Sequence, residues 1–190
     1  YEKTSQYSLE VWSKWIAPIS WFAKIFIRIV SVDIKQLNIP LSALETSYGM
    51  SSTVVHLKTK QGETKYTCWL RKSLKTNKVV YAGFYSSIAI AENKYVRVVF
   101  PLPKGNVTVI LKVVSQKDGS VKLISDGKLY KGTGYYRLNK NKKGSIKARK
   151  IPIKEVIHVF EDQSGTLRTD HYFKWWKVLF LQLHYKILDK

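Results

Sequence analysis

The chain has 190 residues, one cysteine, and 33 Lys and Arg against 13 Asp and Glu, a formal net charge of +20. With 45% hydrophobic and 13% aromatic residues it has the material for a core, so general disorder is excluded, and its length suits a single domain over 1–190. The lone Cys68 excludes an internal disulfide framework and zinc fingers, and no apolar run of about 18 residues offers a spanning helix.

The first predicted element is a helical segment over 8–30. Trp12, Trp15, Ile16, Ile19, Phe22, Ala23, Phe26, Ile27 and Val30 follow the spacing of one helix face. Pro18 removes a backbone donor and predicts a bend near Ala17 to Ser20, giving one kinked helix or two short ones. Residues 31–50, with Pro40 and Gly49, read as an extended connection.

From Ser51 the chain reads as antiparallel β-structure to 188. Thr53 to Thr59 is short and β-branched, and Gln61-Gly62 turns it. Runs over 63–72, 78–91, 95–100, 107–114 and 121–125 follow, with Thr76-Asn77 and Lys117-Asp118-Gly119 as turns. Pro101-Leu102-Pro103 ends the fourth run. Further strands are predicted over 135–138, 145–153 and 156–162, the last closed by Gln163-Ser164-Gly165. The segment 166–188 is long enough for a helix. However, Leu179, Leu181, Leu183, Tyr185 and Ile187 alternate with Gln182, His184 and Lys186, which predicts two strands with a bend around Trp175-Trp176-Lys177. The expected fold is therefore mainly β, with about ten antiparallel strands in a curved sheet, barrel or half-barrel beside an N-terminal amphipathic helix. That outline resembles lipocalin-like barrels and helix-grip lipid-binding domains, an analogy at the level of fold alone.

Surplus positive charge favours anionic partners: nucleic acid, anionic lipid or an acidic small molecule. Lys predominates over Arg, which weakens a case for specific base reading. The block 128–154 holds ten Lys and Arg with no acid, interleaved with Tyr130, Tyr135 and Tyr136. Such a pattern suits single-stranded nucleic acid or an anionic headgroup layer, and equally a solvated hairpin. Trp12, Trp15 and Trp21 beside lysines suit either a membrane interface or packing against the sheet.

Catalytic signals are sparse. A three-residue loop at 163–165 would place His158 opposite Asp170, a pair able to orient an imidazole and equally an ordinary cross-strand pair. The four histidines show no ligand spacing, no phosphate-binding glycine loop opens onto a helix, and Cys68 has no identifiable base, so neither metal nor cofactor is expected. The expected function is non-catalytic binding of a hydrophobic or amphipathic, anionic small molecule or lipid. Trp69, Tyr81, Phe84, Tyr85, Phe100 and Trp176 would line the site, and Arg71, Arg137 and Arg149 would pair its charge. The alternatives are a nucleic-acid binder using 128–154 and an enzyme centred on His158 and Asp170. A single thiol points to a reducing, cytoplasmic compartment, with membrane association as a further expectation. The start at Tyr1 rather than Met points to a trimmed or mature chain.

Overall fold

The computed structural model describes residues 7–15, 50–102, 105–127, 132–141 and 143–189. Among these residues, twelve strands form one hydrogen-bonded antiparallel sheet. They are β1 (Tyr7–Trp15), β2 (Met50–Lys58), β3 (Thr64–Ser73), β4 (Val79–Ile90), β5 (Asn93–Leu102) and β6 (Gly105–Ser115). Then follow β7 (Val121–Ile124), β8 (Gly134–Lys140), β9 (Ile146–Ile151), β10 (Ile153–Glu161), β11 (Leu167–Trp175) and β12 (Val178–Asp189).

The sheet runs β1-β12-β11-β10-β7-β6-β5-β4-β3-β2. β6 is its branch point. One edge of β6 pairs with β8 over Gly105–Ile110 and then with β7 over Lys112–Ser115, so the β8–β9 hairpin leaves the main path there. The sheet is open. Closure into a barrel would require pairing between β1 and β2, and none exists among the described residues. It nevertheless curves far enough to bring Arg71 of β3 into electrostatic range of Tyr185 of β12, although six strands separate them in the sheet.

The expected N-terminal helix is corrected over its first half. Residues 8–15 lie in β1, paired with β12 from Ser8 opposite Leu188 to Trp15 opposite Leu181; residues 16–30 lie outside the described residues. The segment carries two competing periods. Trp12, Trp15 and Ile16 fit a helix, whereas Leu9, Val11 and Trp15 fit a strand, and the free edge of β12 decides between them. Trp12 and Trp15 are thus strand residues rather than members of a helical stripe, and Trp21 lies outside the described residues.

The C-terminal reading holds: β11 and β12 are strands, and the bend falls at Trp176, whose φ is +55°. The hairpin register also holds. Asp162 N donates to Thr166 O at 2.9 Å, and Asp170 pairs with His158. Pro152, which has no N–H for the ladder, ends β9 one residue before β10 begins, so the run expected over 145–153 is shorter than foreseen.

Alternation along β5 and β6 builds the main core from Val98, Phe100, Val107, Val109 and Leu111, with Leu123, Tyr135 and Ile157 packed against it. Burial of one such side chain contributes about 1.5–3 kcal/mol. Phe180, Leu181 and Leu183 of β12 form a second cluster with Phe173 and Trp175.

Candidate functional site

The face that carries this core also carries an unusual set of polar side chains. In β3 and β4 the register sets Arg71 opposite Tyr81, Trp69 opposite Gly83 and Thr67 opposite Tyr85. Neighbouring strands continue the face through Val98, Val109 and Tyr135, and across the branch through Ile157, His171 and Leu183. Trp69 and Tyr81 meet edge-on with ring centroids 5.6 Å apart, and Tyr81 meets Phe100 in the same way at 5.6 Å. The Tyr81 and Tyr85 hydroxyls are hydrogen-bonded to each other. Gly83 permits this arrangement, because a Cβ there would stand 2.7 Å from the Tyr81 hydroxyl oxygen.

Arg71 lies within this aromatic patch. Its Cζ is 5.5 Å from the Trp69 ring centroid, and its buried Nε has no hydrogen-bond partner among the described residues. Burial pulls the Arg71 pKa below its ordinary value, while the phenols of Tyr185, Tyr81 and Tyr85 act in the opposite sense. An arginine remains charged under such a shift, so the inner face holds a cation short of one acceptor.

A second polar centre adjoins the first. The Glu155 side chain is 8% exposed and accepts hydrogen bonds from Tyr135 Oη at 2.5 Å and from His171 Nε2 at 2.5 Å. Its backbone is fixed as well, because Glu155 N donates to Ser125 Oγ and Ser125 N donates to Glu155 O. Burial, followed by the Glu155 charge, pushes the Tyr135 phenol well above its ordinary value, so it stays protonated and donates. The His171 ring lies 4.2 Å from Phe173 and 6.2 Å from Tyr185, whose phenol acts electrostatically on Arg71. The inner face thus holds two polar centres within the apolar core, one around Arg71 and one around Glu155.

Of the nine residues singled out from sequence, Trp69, Arg71, Tyr81, Tyr85 and Phe100 come together on this face. Phe84 does not: it pairs with Cys68 on the opposite face, because neighbours in a strand point opposite ways. Trp176 is 68% exposed in the β11–β12 turn. Arg137 and Arg149 pair with each other on the β8–β9 arm, where Arg137 Nε donates to Asn139 Oδ1 and Arg149 is exposed. Sequence reading missed Glu155, Tyr135 and His171 as a unit. The available signal was a single acid set among Ile153, Val156 and Ile157, with His171 on the face that Ile157 shares.

His158 and Asp170 face one another in register but bond elsewhere. His158 Nε2 meets Ser120 Oγ at 2.9 Å, whereas Asp170 Oδ1 bonds His184 Nδ1 at 2.6 Å and its Oδ2 accepts from Tyr172. Within the basic block, Lys150 donates to Gly127 O at 2.5 Å, and Lys154 pairs with Asp126 at 2.6 Å. Tyr136 is buried and donates to Gly132 O, and Tyr135 is turned inward to Glu155, so neither offers a stacking surface to bases. Tyr130 lies outside the described residues. Among the described residues no cluster of three or more His, Cys, Asp or Glu side chains is arranged to hold a metal.

No family model matches the chain. No solved structure matches it either. A protein of Bacillus subtilis strain 168, named "Uncharacterized membrane protein YndJ", is 26% identical over 193 residues, covering 98% of this chain and 33% of that protein. The chain therefore spans about a third of the length of the relative it matches. Among the described residues no helix is long and apolar enough to cross a membrane.

Proposed function

We propose that this domain binds, without transforming it, an amphipathic anion of the fatty-acid or acyl-lipid class on the inner face of its curved sheet. The carrying observation is Arg71, a guanidinium held among Trp69, Tyr81, Tyr85 and Tyr185 with a buried Nε that lacks an acceptor. A carboxylate or phosphate satisfies such a group through charge-assisted hydrogen bonds. The apolar and aromatic residues around it suit an acyl chain, the mixture of apolar walls and few polar groups that small-molecule sites use. The membrane name of the Bacillus relative supports a setting where such ligands are abundant.

Native mass spectrometry of the purified chain, followed by denaturing extraction, tests this reading. A co-purifying acyl lipid or fatty acid supports it and identifies its class. An apo mass that accepts no added fatty acid or lysophospholipid refutes it. Nucleic acid retained through purification would favour the basic arm instead, with an affinity that falls steeply with salt.

A further inference from the structure

In an antiparallel sheet the turns alternate between two ends, and here the two ends differ chemically. At one end, the β2–β3, β4–β5, β6–β7 and β10–β11 turns mix acids, namely Glu63, Glu92, Asp118, Glu161 and Asp162, with the exposed lysines Lys60, Lys94 and Lys117. At the other, the β3–β4, β8–β9 and β11–β12 turns carry no acid at all, as the segments 73–79, 140–147 and 174–178 show. Exposed lysines flank them instead: Lys78, Lys140, Lys143, Lys147, Lys174 and Lys177. None of these six forms an ion pair with a carboxylate among the described residues.

Among the described residues, the most exposed large apolar side chains lie at this same end. Ile146 is 72% exposed, Trp176 68% and Leu74 64%, against 48% or less for every other exposed large hydrophobic residue among those described. Each occupies or adjoins one of the three turns. Each turn is tied by a backbone hydrogen bond: Ser73 N donates to Lys78 O, Asn141 N to Ser145 O, and Trp176 N to Pro152 O between β9 and β10. The β3–β4 and β8–β9 turns stand about four strand spacings apart, roughly 20 Å along the sheet.

We infer that this rim, with Leu74, Ile146 and Trp176 as apolar tips in a collar of lysines, docks on an anionic membrane surface. Aliphatic tips have no role on a phosphate backbone, whereas in a bilayer they enter the boundary between headgroups and acyl chains while lysines hold anionic lipid. Trp is suited to that depth. Lysine, a strongly hydrated point charge, serves a diffuse anionic layer well and bidentate base reading poorly. The inference stands independently of any ligand on the inner face.

Vesicle flotation of the 190-residue chain tests it, using phosphatidylcholine alone and phosphatidylcholine mixed with phosphatidylglycerol, at low and high salt. The expected result is binding to the mixed vesicles, reduced by salt, with a blue shift in tryptophan emission that W176F diminishes. The double variant L74D/I146D should lose binding while L167D, exposed at the opposite end, retains it. K143Q/K147Q, which leaves the apolar tips in place, should weaken binding about fivefold per lysine. Equal binding to both vesicle types, an unaffected K143Q/K147Q, or preferential capture of nucleic acid over mixed vesicles would each overturn the inference.

Discussion

Replacing Arg71 by methionine should separate stability from binding. Methionine keeps an unbranched stem of similar reach and removes the charge together with the unpartnered Nε. A buried donor without a partner costs about 1–3 kcal/mol, while the stacked cation over Trp69 contributes about 0.5–1 kcal/mol that the variant forfeits. The balance predicts a variant as stable as the parent or more stable by about 1–2 kcal/mol, a rise in Tm of up to roughly 4–8 °C for a chain of this size. Binding should move the other way. Loss of a charge-assisted contact to an anionic headgroup costs about 1.5–3 kcal/mol, or about 10- to 150-fold in Kd. Thermal melts of the apo protein and displacement of a fluorescent fatty acid read the two quantities separately. A variant that unfolds at lower temperature and binds as before would refute the reasoning, because Arg71 would then be a structural residue satisfied by the fold.

Three further outcomes follow from the geometry. Glu155→Ala leaves the Tyr135 hydroxyl and the His171 ring without their shared acceptor, and should cost about 3 kcal/mol, read as a lower urea midpoint. Gly105→Ala should cost at least about 2 kcal/mol, because its φ is +147° and the new Cβ would stand 1.9 Å from Leu138 O, where β8 pairs with β6; chemical denaturation measures the loss. The raised pKa of Tyr135 means that the folded chain holds this proton more tightly than the unfolded one. Its contribution is therefore complete below the ordinary value of 10.0 and is lost as pH rises through the folded value. Tyr135→Phe should thus flatten the alkaline limb of the stability–pH curve by one proton, with no change of slope at neutral pH.

Much of the β-region was legible because local chemistry determines it. Asp118-Gly119 and Ser164-Gly165 make their turns with the aspartates accepting from nearby backbone, and the second turn sets the register that places Asp170 opposite His158. The alternation from Leu179 to Ile187 told strand from helix for the same local reason. The N-terminal segment was ambiguous because Trp15 serves both periods, and its partner strand lies some 170 residues away in sequence. In the site, the aromatic wall was legible as composition, yet Phe84 and Tyr85 cannot both face inward on one strand, a constraint that pleating alone imposes. The Glu155 centre was not legible. It depends on β8, β10 and β11 meeting across a branch at β6, and no local periodicity encodes that meeting. His158 and Asp170 show the converse: register was predicted, but the side chains bond instead to Ser120 in the β6–β7 turn and to His184 on β12.

The pairing of β1 with β12 bears on how the sheet assembles. Strands β2 to β6 join sequential neighbours through short turns, so they can pair as each leaves the ribosome. β1 cannot, because its partner is complete only when residue 189 has been made. Until then β1 must wait without this partner, and closing so long a loop makes its docking a late step. Slowed translation near the β12 codons would prolong that interval, exposing the segment 7–15 to capture by chaperones or by the edge of another copy.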